Sequence, residues 1–301
     1  MTRASRASCG ALLLLALGAA HAAEGVKLRP LQAIYADDRG SGLKQPEGLA
    51  FDGKSLLAVA DTGNRRLLKY TIAGDQATPA GEIRLAEIPY PIRVQFGPGG
   101  ELFALDGKSR RIARISPAGE FKGYVEPSGD VQAGPLMPRS FAIDRAGDLY
   151  VLDVFRARVL VLDPSGRTGR TIVYPGRQGF LSDLAVDERG TVFAVDSVGR
   201  RVFVAGKPDA ALVPLTPDMR ADLAFPTAIA VDGQGRIFLA DQNGDGIVIL
   251  GRDGSFRGRQ GGTGWKEGSL RYPSGLCAGP AGTIFVADRE NGRVQMFAVS
   301  E

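Results

Sequence analysis

Imidazole and thiol groups are almost missing from this chain. Its 301 residues include one His and two Cys, and both His21 and Cys9 fall in a segment that reads as a removable leader. Arg3 and Arg6 form a positive start, Ala11 to Ala20 is an apolar run, and Ala20-His21-Ala22 is a small-x-small cleavage site. Residues 1–22 are therefore expected to be a secretory signal peptide and residues 23–301 the mature chain. The apolar run is ten residues long, against the roughly 20 that a membrane-crossing helix needs. No other segment is apolar for longer, so no membrane span is expected. A periplasmic or secreted location follows from the leader.

Each scarcity removes a class of chemistry. Without His, the mature chain cannot build a Ser-His-Asp triad, a Cys-His pair, a His-ligated zinc or haem site, or an imidazole general base. One remaining thiol, Cys277, cannot form an internal disulfide, and its place in Leu276-Cys277-Ala278 predicts a buried, inert side chain. Charge of one sign is scarce as well. Arg3 and Arg6 leave with the leader, which lowers the formal net charge from +4 to +2. Nucleic acid and anionic membranes are not expected partners at that balance. No stretch carries a convincing helical period.

Turn residues, by contrast, are abundant: 41 Gly and 18 Pro. They punctuate a repeat. An apolar run ending in Asp recurs at Asp61, Asp106, Asp153, Asp196, Asp241 and Asp288, with spacings of 45, 47, 43, 45 and 47 residues. A fixed period in this range marks a solenoid or a propeller. The first unit divides into four short strands, Gly48 to Asp52, Ser55 to Ala60, Arg66 to Ile72 and Glu82 to Ile88, separated by Asp52-Gly53, Thr62-Gly63-Asn64 and Ala73-Gly74-Asp75. Six such units describe an all-β fold, a six-bladed β-propeller of four-stranded antiparallel blades. The sixth unit has three strands, the last being Arg293 to Val299, and Leu31 to Ala36 precedes the first unit without a unit of its own. This N-terminal strand is expected to complete the last blade and pair an otherwise exposed edge.

The first unit contains Pro46-Glu47-Gly48-Leu49-Ala50-Phe51-Asp52, Leu57-Ala58-Val59-Ala60-Asp61 and Asn64-Arg65-Arg66-Leu67; the last contains Pro273-Ser274-Gly275-Leu276, Ile284-Phe285-Val286-Ala287-Asp288 and Asn291-Gly292-Arg293-Val294. These segments resemble the NHL repeat, over residues 45–299. The resemblance implies a six-bladed propeller that serves as a platform for binding proteins or other ligands. It implies no single activity.

Five residues after each repeated Asp stand Arg66, Arg111, Arg158, Arg201, Gly246 and Arg293. The recurring Asp–Arg spacing predicts a structural clamp in each blade, except at Gly246, and not a metal site. Asp241-Gln242-Asn243-Gly244-Asp245-Gly246 looks like the start of a calcium loop, but Arg252 stands where that loop needs a bidentate Glu. No metal and no cofactor are expected, calcium being the one candidate. Residues that differ between blades at one place are the binding candidates. The start of the inner strand should face the central channel, and there stand Glu47, Arg93, Arg139, Asp183, Thr227 and Ser274. Trp265, in a Gly-rich loop, is a further candidate, as an exposed anchor or as packing under the loop. The expected function is a non-catalytic, monomeric platform for a protein, peptide or small ligand. The alternative is a calcium-dependent lactonase-like hydrolase. The chain resembles gluconolactonase-type propellers in architecture, and Glu47 matches their first ligand position with Asp183 a candidate for the second, but Arg93 and Arg139 stand where an Asn ligand is needed and would oppose a cation.

Overall fold

The computed structural model describes residues 25–129, 136–175 and 179–301. The leader assigned to residues 1–22 lies outside these. Among the described residues no helix is long and apolar enough to cross a membrane.

Six four-stranded antiparallel sheets form the molecule. Their inner strands are Pro46–Phe51, Pro91–Phe96, Pro138–Ile143, Leu181–Val186, Pro226–Val231 and Pro273–Ala278. The second and third strands of each blade are nearly continuous apolar runs; Leu149–Asp153 and Arg158–Leu162 are buried at every residue. Such runs have both faces covered, because each blade packs against two neighbours. Outer strands such as Gln76–Ile83 and Phe256–Gly261 are mostly exposed and polar.

The packing follows the ring. Six hydrophobic clusters lie one at each blade-to-blade interface; Tyr150, Leu152 and Val159 meet Leu184, Val192 and Phe203 between the third and fourth blades. The last interface to close, between the sixth blade and the first, is filled by Phe285, Val294 and Met296 against Leu49, Leu57 and Tyr70.

The N-terminal strand closes the ring. Lys27–Ile34 pairs antiparallel with Arg293–Ser300, in a sheet whose other strands are Thr283–Asp288 and Pro273–Ala278. It begins before the expected Leu31 and ends before Ala36, with a register shift between Pro30 and Gln32. The fourth strand of the first blade is displaced too. It runs over Gln76–Ile83, because Gly74-Asp75 forms a two-residue turn that pairs Ala73 with Gln76 and restarts the strand at once. Residues 84–90 are left to carry the chain to the next blade.

The motif glycines have a steric cause. A Cβ on Gly48 would lie 2.6 Å from the Arg93 Cα, and one on Gly275 would lie 1.9 Å from the Glu47 carbonyl oxygen. At these two positions the neighbouring inner strand approaches closely enough to leave no room for a side chain.

The repeated Asp residues pin the loops between blades. Each accepts a backbone N–H from just before its own inner strand: Lys44 to Asp61, Tyr90 to Asp106, Met137 to Asp153, Phe180 to Asp196, Phe225 to Asp241 and Arg271 to Asp288, at 2.7–3.3 Å. The ion pair with the Arg five residues on is narrower than the repeat suggests. Asp61–Arg66, Asp153–Arg158 and Asp288–Arg293 pair at 2.7, 3.1 and 2.6 Å. Arg111 instead reaches Glu126 and lies over the Tyr124 ring. Asp196 accepts the Tyr174 hydroxyl at 2.7 Å in the place expected for Arg201. In the fifth blade, where Gly246 supplies no side chain, Arg259 from the outer strand reaches Asp241 at 2.9 Å. The stretch with a calcium-loop start is thus committed elsewhere: Asp241 is buried and accepts N–H groups from Ala224, Phe225 and Arg259.

Candidate functional site

One mouth of the central channel holds a cavity of about 360 Å³. All six residues expected at the inner-strand starts line it: Glu47, Arg93, Arg139, Asp183, Thr227 and Ser274. They do not form one ring, however. Glu47, Arg139, Thr227 and Ser274 immediately follow the first residue of their strands, whereas Arg93 and Asp183 stand one position further in. At that deeper position the other blades carry Gly48, Ser140, Ala228 and Gly275. The ladder fixes this offset: Pro91 pairs with Asp106 and Arg93 with Leu105, as Leu181 pairs with Asp196 and Asp183 with Val195.

Two tiers result, and they differ in character. In the deeper tier, large charged side chains occupy places that carry Gly, Ala or Ser in the other blades, and they neutralise one another. Arg93 donates to Asp183 at 3.0 Å, and its remaining N–H groups reach the carbonyls of Phe141 and Leu184 at 3.5 and 3.3 Å. Asp183 also accepts the Ser140 hydroxyl and the Ile229 N–H. Both groups are buried. This cross-channel pair is the floor of the mouth. Below it, Arg93 also borders a lower cavity lined by Phe51, Ile229, Leu276 and Cys277 among others. Cys277, expected to be buried, is half-buried at this cavity, and loss of solvation pushes its thiol pKa up.

The upper tier is less settled. Glu47 lies 3.5 Å from Arg289. Burial raises its pKa, and the positive charges of Arg289 and Arg139 oppose that rise without cancelling it. The pKa of Arg139 is pushed down, first by burial and then by the nearby Arg110, with Asp183 and Glu47 working the other way. Arg139 lies over the Phe180 ring, 5.8 Å from its centre. Its Nε is buried without a hydrogen-bond partner, and so is the Thr227 hydroxyl oxygen. Ser274 is occupied, donating to the Pro46 carbonyl at 2.9 Å.

Several wall residues were not anticipated from the sequence: Tyr90, Arg110, Gln242, Tyr272 and Arg289. The signal for two of them lay in the repeat, since Gln242 and Arg289 directly follow a repeated Asp, a position that is Thr62, Gly107, Val154 and Ser197 in the other blades. Tyr90 and Tyr272 also share a repeat position, immediately before the inner strand, where the other blades carry Gln45, Met137, Phe180 and Phe225. Trp265 is not part of the cavity wall. It is 77% exposed, with Arg271 at 5.9 Å from its ring, so it does not pack under its loop. It is linked to the mouth only through Arg271 and its neighbour Tyr272, over which Arg289 lies at 5.7 Å.

A divalent cation does not suit this donor set. The cavity is lined by two carboxylates and four arginines. Asp183 is already bonded through both oxygens, and Glu47 faces Arg289. Among the described residues no group of three potential ligands from His, Cys, Asp and Glu comes together.

Residues 270–297 match the family model of the NHL repeat. The chain is thus a six-bladed propeller with an NHL repeat in its last blade. No curated protein sequence matches it. Solved structures resemble it in shape. A gluconolactonase from Xanthomonas campestris is 16% identical, with a TM-score of 0.65 over 94% of this chain and 93% of the other. A virginiamycin B lyase from Staphylococcus aureus is 13% identical, with a TM-score of 0.58 over 92% and 89%. An auxiliary nutrient binding protein from Bacteroides thetaiotaomicron is 11% identical, with a TM-score of 0.65 over 92% and 77%. At these identities the likeness is one of fold alone.

Proposed function

We propose that this propeller is a non-catalytic binding platform whose recognition site is the channel mouth. The observation that carries this is the convergence of side chains from the starts of all six inner strands on one cavity, where they differ from blade to blade. Diversity gathered at one pocket is what a recognition surface on a repetitive scaffold needs. Its volume, about 360 Å³, is at the small end of ligand pockets, commonly about 300–1,000 Å³. A small molecule or a single side chain of a partner protein fits it.

The structural neighbours include enzymes, and two features of this chain weigh against their chemistry. Its only His is His21, in the proposed leader, and a solved S. aureus lyase made catalytically inactive is a His-to-Ala variant. A lactonase relying on calcium would have to seat the ion among the mouth arginines. We place the chain in the periplasm or outside the cell on the strength of its leader, and N-terminal sequencing of the exported protein should begin at Ala23.

The test of the binding reading is a thermal-shift screen of a diverse small-molecule panel against the wild type and a Glu47→Gln/Thr227→Val variant. The expected result is at least one compound whose stabilisation is lost in the variant. Calcium-dependent hydrolysis of a lactone panel, abolished by Glu47→Gln, would instead establish the hydrolase.

A further inference from the structure

The charges of the mouth do not balance locally. Arg93 has Asp183 and Arg289 has Glu47. Arg110 and Arg139 line the same cavity, and among the described residues neither has a carboxylate within ion-pair distance. Arg110 and Arg139 also repel each other. Arg139 Nε points to no acceptor, and the Thr227 hydroxyl oxygen has no partner, although both atoms are buried. Native proteins seldom leave such groups unmatched, because each unmade buried hydrogen bond costs about 1–3 kcal/mol. Two guanidinium groups without an ion-pair partner and an unpartnered hydroxyl lining one cavity are the complement of a molecule carrying oxygen acceptors and negative charge. Guanidinium groups suit planar, bidentate recognition of carboxylate and phosphate. The neighbouring hydroxyls of Ser140 and Ser274 are engaged within the protein, so they do not compete for that role.

We propose that the mouth binds a small organic dianion, a dicarboxylate or a phosphate monoester, with Arg110 and Arg139 holding its two charges and Thr227 hydrogen-bonding one of its oxygens. This rests on the reading of the mouth as the recognition site. A dianion fits better than a monoanion, because one charge would leave one of the two arginines unmatched. Arg93, already paired and buried beneath, holds the floor and is not counted in this charge.

The experiment is thermal unfolding and calorimetric titration of the purified protein with succinate, with glycerol phosphate and with neutral succinamide, at low and at raised sodium chloride. Succinate or glycerol phosphate should stabilise the wild type, succinamide should not, and binding should weaken with salt. Arg139→Gln should weaken anion binding by on the order of tenfold to a hundredfold, and Arg139→Lys should restore part of it. The unliganded Arg139→Gln protein should melt no lower than the wild type, which separates lost recognition from lost folding. Tighter binding of succinate points to a dicarboxylate, and of glycerol phosphate to a phosphate ester. The proposal is overturned if neither anion binds, if succinamide binds as well, or if Arg139→Gln leaves anion binding unchanged. A neutral compound displaced by Glu47→Gln/Thr227→Val would then keep the mouth as the recognition site while removing the dianion; the absence of any mouth-dependent ligand would remove both.

Discussion

Glu47 and the Arg93–Asp183 pair represent two ways of holding charge in a channel. Burial raises the pKa of Glu47 in the folded protein above the ordinary value of 4.5, and its arginine neighbours only partly relieve that penalty. A carboxyl group with a raised folded-state pKa contributes stability that is fully present below its unfolded pKa and is lost as pH rises through the folded pKa. Glu47→Gln should therefore be more stable than the wild type at pH 8, and the difference should vanish near pH 4. Urea denaturation at both values checks this, and a difference independent of pH would contradict it. In the deeper pair both partners are buried and hydrogen-bonded to each other and to their surroundings. Arg93→Met would leave Asp183 buried without its cation, at a cost of about 3–5 kcal/mol. Adding Asp183→Asn should recover part of that loss, which a double-mutant cycle in chemical denaturation reads directly.

Within a blade, the Asp at the end of the second strand is the common anchor, but its partners vary. Asp288 accepts from Arg271, Asn291, Arg293 and Gln295, whereas Asp106 accepts from Tyr90, Ser109 and Arg110 backbone N–H groups through its carboxylate or carbonyl. Asp288→Ala should lower the unfolding midpoint more than Asp106→Ala, because it also strands the buried Arg293. Equal losses would show that the backbone pin, shared by all six blades, is the whole contribution. Such elements were largely legible beforehand. The period, the blade count and the use of the N-terminal strand all follow from apolar runs and turn residues. Less legible were features that depend on one residue of register. Arg93 and Asp183 occupy a deeper tier than their neighbours because the ladder places them two residues past the paired Pro91 and Leu181. The clamp of the second blade fails because Tyr124 and Glu126 offer Arg111 a different seat. Neither the channel radius nor a competing aromatic is written in a repeat pattern.

For the whole molecule, closure of the ring and the binding mouth are separable. Lys27–Ile34 supplies the outer strand of the last blade, and its Leu31 and Ile34 pack with the cluster that joins the last blade to the first. Deleting residues 25–36 should lower the melting temperature by several degrees, measured by calorimetry, and a change within error would mean that the ring closes without this strand. The mouth lies at the inner strands, whereas Lys27–Ile34 is the outermost strand of its blade, so the mouth's chemistry is set by which side chains the six inner-strand starts and the adjacent loops present. Related folds with other residues at those positions can serve other ends. The central claim, that this mouth recognises a ligand through its unpaired arginines, is tested most directly by a crystal structure of the protein grown with succinate. The account predicts the dianion in the mouth, its carboxylates against Arg110 and Arg139 and one oxygen within hydrogen-bond distance of Thr227. Succinate bound elsewhere, with the mouth holding only water, would contradict it.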